Sequence, residues 1–221
     1  MAKPAPYQPL LLRLTHGAIA ILVLLALLSG FWVYNTYDGR WGSLPLPQIP
    51  DIQGLHGTIA LVLLLLFPLF ALYCFHWGDR RLLHKKSLAQ LSQGNWPAWQ
   101  RLANTLMLVA VTFALITGRM MKEEWLPAGD LNRGWYLAHL GAWSGVLLGL
   151  LSHLILGAKA GGRALLASMI SFAIRPEDRR LQNWWRGGRL KPSSQLLLGL
   201  EISVLLGIGA AFVLPAVIAA Q

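Results

Sequence analysis

Five blocks of about twenty apolar residues limit what this chain can fold into: Leu14–Tyr34, Leu55–Phe75, Leu102–Met121, Trp135–Gly157 and Leu196–Ala220. A helix rising about 1.5 Å per residue needs roughly that length to cross the ~30 Å hydrocarbon layer of a bilayer. Lipid offers backbone amides no partners, so only helices or closed barrels span it, and a barrel needs an alternation of polarity that these blocks lack. The expected fold is an all-α integral membrane protein, a four-helix transmembrane bundle plus a fifth transmembrane helix. An eleven-residue run, Ala164–Ile174, is too short to cross; flanked by Arg163 and Arg175, it reads as an interfacial helix. The chain accordingly divides into a core at 8–160, an interfacial helix and basic loop at 161–194, and the additional span at 195–221.

The net charge of +10 could suggest nucleic acid, but its distribution argues for topology instead. Lys3 and Arg13 precede or open the first span. Arg80, Arg81, Lys85, Lys86 and Arg101 lie between the second and third. Lys159, Arg163, Arg175, Arg179, Arg180, Arg186, Arg189 and Lys191 lie between the fourth and fifth. Only Arg40, Arg119, Lys122 and Arg133 fall on the opposite side. The positive-inside rule then places the amino terminus in the cytoplasm and the carboxyl terminus outside. The first span is expected to remain in the protein, because its apolar core exceeds a signal peptide's and no small-x-small site follows Ser29-Gly30-Phe31.

Several chemistries drop out. The single cysteine, Cys74, permits no internal disulfide, and there is no Cys-x-x-Cys-His motif for covalent haem attachment. Neither a Gly-x-Gly-x-x-Gly nor a phosphate-binding loop is present, so no nucleotide site is expected. Trp32, Trp41, Trp125 and Trp135 gather near the outer ends of the spans, and Trp77, Trp96, Trp99, Trp184 and Trp185 near the inner ends, as interfacial aromatic belts do.

Four of the six histidines lie within apolar blocks: His16, His56, His139 and His153. Ionisable groups are costly in a membrane, so four of them need a reason. His16 and His153 stand near the cytoplasmic ends of spans one and four; His56 and His139 stand near the outer ends of spans two and four. On span four, fourteen residues correspond to about 21 Å of rise and to a rotation returning within about 40° of the start, so both rings share a side. Two stacked bis-histidine haems inside a bundle require this pattern. A zinc site gathers its ligands at one level. Gly17, Gly57, Gly141, Gly145 and Gly149 could let backbone approach a flat porphyrin, or could serve helix packing. His76 and His84, beside basic residues at the inner boundary, read as solvated loop residues.

These residues resemble a known family. Arg13-Leu-Thr-His16 with Ser29-Gly30 at the far end of the span, Leu55-His56-Gly57, Gln100-Arg101 leading to Thr117-Gly118, and His139-x13-His153 are similar to the dihaem cytochrome b subunits of membrane-bound formate dehydrogenases and nickel–iron hydrogenases, a bacterial cytochrome b561-like family. The resemblance covers about residues 8–190. It implies two haem b groups, the inner iron on His16 and His153 and the outer on His56 and His139. It further implies an iron–sulfur protein or dehydrogenase as partner on the outside and quinone at the inner haem. Pro97 stands where the family often has a quinone-binding asparagine, and the fifth span is extra to the core.

Around such haems, Arg119, Lys122 and Arg133 are candidates for the outer propionates and Arg13 for the inner ones, since buried carboxylates need cations. Gln100 and Asn104, beside Trp96 and Trp99, are the polar candidates for a quinone carbonyl. Glu201, near the inner end of span five, reads as a snorkelling or helix-pairing residue. The function expected is electron transfer across the membrane between a redox partner and the quinone pool. The alternatives are a free-standing cytochrome b acting on a small redox molecule, and a non-redox scaffold whose histidines only pack.

Overall fold

The computed structural model describes residues 8–121, 130–171, 173–179 and 192–218. Five long helices carry the apolar blocks: α1 Leu10–Tyr37, α2 Ile52–His76, α4 Trp96–Met120, α5 Asp130–Ile170 and α6 Gln195–Ile218, with a short α3, Lys85–Leu91, between the second and the third of these. All five are long and apolar enough to cross a membrane. Their outward faces carry large apolar side chains with nothing over them: Leu28, Leu69, Leu148 and Leu206 are each 64–68% exposed. In water, faces of this size would drive aggregation; in a bilayer they meet hydrocarbon.

Local chemistry sets the helix starts. Asp51, in left-handed conformation (φ 50°), accepts the Gly54 N–H and opens α2. Asn95 does the same for α4 by accepting the Ala98 N–H, with Pro97 in the first turn where its missing N–H costs nothing. Pro68 within α2 removes one ladder bond, leaving the Leu64 carbonyl without its usual donor.

α1 packs against α2 and α5, α4 packs against α5 and α2, and α6 seats against α4 and α2 on the outside of the four. The ring is therefore α1–α2–α4–α5, and α2 and α5 face each other across its diagonal. Its core holds Ile19, Val23, Leu27, Leu63, Phe67, Leu108, Val111, Leu115 and Val146. Buried Leu197, Val204 and Ile208 bring α6 onto the same cluster.

The interfacial helix differs from its expected limits. α5 breaks at Gly162 (φ 66°, ψ −168°), and the helical segment beyond the break ends at Ile170, not Ile174. There Arg13 draws the chain out of helix: its Nη1 donates to the carbonyls of Ser171 and Ala173. Its Nη2 pairs at 2.5 Å with Asp178, both side chains fully buried. Asp178 also accepts the backbone N–H groups of Leu10 and Arg175, tying the start of α1 to the segment that follows α5. A pair removed from water this completely is supported by the further hydrogen bonds of Arg13 Nη1 and of the Asp178 carboxylate, while the buried Arg13 Nε has no partner among the described residues.

Candidate functional site

The four intramembrane histidines meet in two pairs. The rings of His16 on α1 and His153 on α5 have centroids 6.1 Å apart. Those of His56 on α2 and His139 on α5 are 6.2 Å apart. Two imidazoles on opposite sides of one metal ion, with metal–nitrogen bonds of about 2 Å, place their ring centres roughly 6.3 Å apart. Each pair thus stands at the spacing of a shared axial metal. Among the described residues no three histidine, cysteine or acidic side chains gather to hold a metal ion, so a zinc-type cluster at one level finds no support there.

Hydrogen bonds decide which ring nitrogen three of the four histidines can offer. Ser29 Oγ donates to the Leu25 carbonyl and lies 2.9 Å from His56 Nδ1, so it accepts the Nδ1 proton. Thr117 Oγ1 donates to the Phe113 carbonyl and lies 3.1 Å from His139 Nδ1, with the same consequence. Asn104 Oδ1 lies 2.9 Å from His153 Nδ1, while Asn104 Nδ2 donates to the Arg81 carbonyl, which fixes the amide with its oxygen toward the ring. With Nδ1 protonated and held, Nε2 carries the free lone pair that a metal ion would take. His16 has no hydrogen-bond partner among the described residues; it meets Phe70 edge-on, with ring centroids 6.3 Å apart.

The outer pair also has room shaped for it. The residue after each hydroxyl is glycine, and a Cβ on Gly30 would stand 3.1 Å from His56 Cε1, one on Gly118 3.0 Å from His139 Cε1. A cavity between the two rings takes its walls from all four bundle helices, with Ala26 of α1, Ala60 of α2, Ala114 of α4 and Trp143 of α5 among them. Trp143 is anchored by its Nε1–H on the Leu27 carbonyl. The lining, apolar with an imidazole at each side, is the chemistry that a flat apolar macrocycle with a central metal would take. At the glycines expected to face such a ring, a Cβ on Gly57, Gly141 or Gly145 would meet nothing within 4 Å, and one on Gly149 would meet the flexible Met107 side chain.

The remaining candidates scatter. Arg119 is half-buried one residue beyond Gly118, Arg133 is exposed on α5, and Lys122 lies outside the described residues. Arg13, expected beside the inner propionates, is instead committed to Asp178 and to two carbonyls. Asn104, expected at a quinone carbonyl, is engaged at both ends of its amide. Gln100 donates to Asn104 from Nε2, but its buried Oε1 has no partner among the described residues.

His76 is not a solvated loop residue. It ends α2 and lies 2.7 Å from Glu201 of α6, with only 18% and 9% of the two side chains exposed. Glu201 therefore pairs helices. Ser29 and Thr117 escaped assignment from sequence as histidine partners; the available signal was the hydroxyl–glycine dipeptide recurring near the outer ends of spans one and three.

Compared with known proteins, residues 7–172 match the family model of prokaryotic cytochrome b561. No curated protein and no solved structure matches the chain.

Proposed function

Because this chain belongs to the prokaryotic cytochrome b561 family, and is thus a membrane b-type cytochrome of electron transfer, we propose that it holds two b haems and links a redox partner outside the membrane to the quinone pool inside. The observation that carries this reading is the pairing of the four histidines at 6.1 and 6.2 Å, two on α5 and one each on α1 and α2. His16 and His153 would hold the inner iron, and His56 and His139 the outer iron. Bound haem supplies a one-electron carrier whose potential is set by its ligands, its burial and nearby charge.

The chain's own residues do the positioning. Ser29, Thr117 and Asn104 hold imidazoles in the tautomer that presents Nε2 to a metal, and the apolar walls keep water from the outer slot. Fifteen basic residues against four across the spans favour a cytoplasmic amino terminus, which puts the His16 level inside. Gln100 is the better of the two quinone candidates: a quinol hydroxyl can donate to its unpartnered Oε1. Half-exposed Trp96 and Trp99, at 44% and 37%, offer flat surfaces at the same helix start. The family resemblance supports an iron–sulfur protein or dehydrogenase as the outer partner.

The test is a haem count by pyridine haemochrome on the purified protein and on His16→Ala and His56→Ala. The parent should carry two haems per chain, and each variant one, with the surviving midpoint potential differing between them. One haem in the parent, or loss of both from either substitution, overturns the two-site reading.

A further inference from the structure

Away from the two histidine pairs, at the end where α2 stops and α4 begins, lies an open cavity of about 480 Å³. Arg80, Lys85, Lys86 and Arg101 wall it, and Ser193 and Ser194, just before α6, close one side. Asp79 is the single carboxylate among its lining residues, and His84 the remaining titratable group. Arg101 is braced, its Nη1 donating to the fully buried Ser87 hydroxyl at 3.0 Å. Arg80, Lys85 and Lys86 are exposed. Four cations against the one carboxylate of Asp79 leave the cavity with an excess of positive charge that attracts a further anion.

The location says which anion. The cavity lies level with the last residue of α2, His76, the first of α4, Trp96, and the residues leading into α6. That is the boundary between hydrocarbon and water, where a membrane places its phosphates. Leu88, Trp96 and Leu198, at the same ends of α3, α4 and α6, are 38–46% exposed and offer apolar surface to an acyl chain. At about 30 Å³ per water, the volume is roughly that of sixteen waters, enough for a headgroup with two phosphates.

We propose that this cavity binds the phosphate headgroup of an anionic glycerolipid. Arg80, Lys85, Lys86 and Arg101 meet the phosphate oxygens, and the Ser193 and Ser194 hydroxyls donate to them. The lipid joins the α2–α4 connection to the start of α6 and so fastens the fifth helix to the bundle. Removing two of the four cations should weaken binding about 30-fold, from the attraction expected of each basic residue near a lipid surface.

The full-length protein, purified and delipidated in neutral detergent, is melted with phosphatidylglycerol, with phosphatidylcholine, and with inorganic phosphate at equal phosphorus. Native mass spectrometry counts the lipid retained. Phosphatidylglycerol should raise the melting temperature and remain bound, while the other two additives change neither. Arg80→Gln combined with Lys86→Gln should lose both effects; Arg163→Gln, which removes an exposed charge beyond Gly162, should keep them. A full shift with inorganic phosphate identifies a soluble-anion site and overturns the proposal. Equal responses from the double variant and Arg163→Gln also overturn it, because the attraction is then diffuse.

Discussion

At the outer level, His56 and His139 are held by the same device used twice. A hydroxyl near the end of the neighbouring helix takes the Nδ1 proton, and the glycine after it leaves room for the ring: Ser29-Gly30 on α1 serves α2, and Thr117-Gly118 on α4 serves α5. At the inner level nothing repeats. His153 leans on an amide chain running through Asn104 to the Arg81 carbonyl, and His16 faces Phe70 with no polar partner among the described residues. The outer pair is symmetrical because each half is assembled within one antiparallel helix hairpin. At the inner level only His153 finds a partner within its own hairpin, Asn104 of α4, while His16 on α1 finds none among the described residues, so the two rings are held differently. Hydrogen bonding to Nδ1 makes an imidazole a stronger donor, so the two levels should differ in potential even with identical cofactors.

The largest expected effect tests the steric half of this comparison. In Gly118→Val, side-chain atoms occupy the place of His139 Cε1, and haem should fall from two to one per chain, the inner one surviving. Retention of both haems would show that the ring has slack and that the glycine serves only helix packing. Next comes the amide. Asn104→Leu removes the acceptor for His153 Nδ1, and inner-haem affinity should drop by about tenfold or more while the outer spectrum stays unchanged. Full haem content with slowed quinol reaction would instead return Asn104 to the quinone site.

The smallest effect comes from the hydroxyls. Ser29→Ala or Thr117→Ala weakens one outer ligand as a donor, so the ferric form loses more than the ferrous form and the midpoint rises. The rise should stay within about 60 mV, the equivalent of a tenfold change in relative affinity for a one-electron couple. A redox titration in which the outer potential falls, or the inner one moves instead, contradicts the assignment. Glu201→Gln is the control, since its partner His76 belongs to neither level; both potentials should stay where they are.

The spans and the four ligand candidates were legible because their signals are local. Twenty apolar residues read as a crossing wherever they pack, and fourteen residues fix the rise and rotation between His139 and His153 within one helix. The pairs that redirect individual side chains were not legible, because they join distant parts of the chain. Arg13 finds Asp178 165 residues away, His76 finds Glu201 across 125, and His153 finds Asn104 across 49. Charge and position alone made Arg13 a propionate candidate and His76 a loop residue; only helix packing shows that each already has a partner. Break points were partly visible: the expected boundary between 160 and 161 falls beside the break at Gly162, but the carbonyls claimed by Arg13 decide where the next helix stops.

α5 carries one histidine of each pair, and on the proposed assignment this constrains how the protein comes into being. A nascent chain that has delivered α1 and α2 into the membrane already owns His16 and His56, yet those two stand at opposite faces of the bilayer, each half of a different site. Neither half acquires its counterpart until α5 is made, when one inserting segment completes both. If the two pairs are the haem sites proposed above, cofactor loading waits for a late moment of synthesis and the two centres mature together.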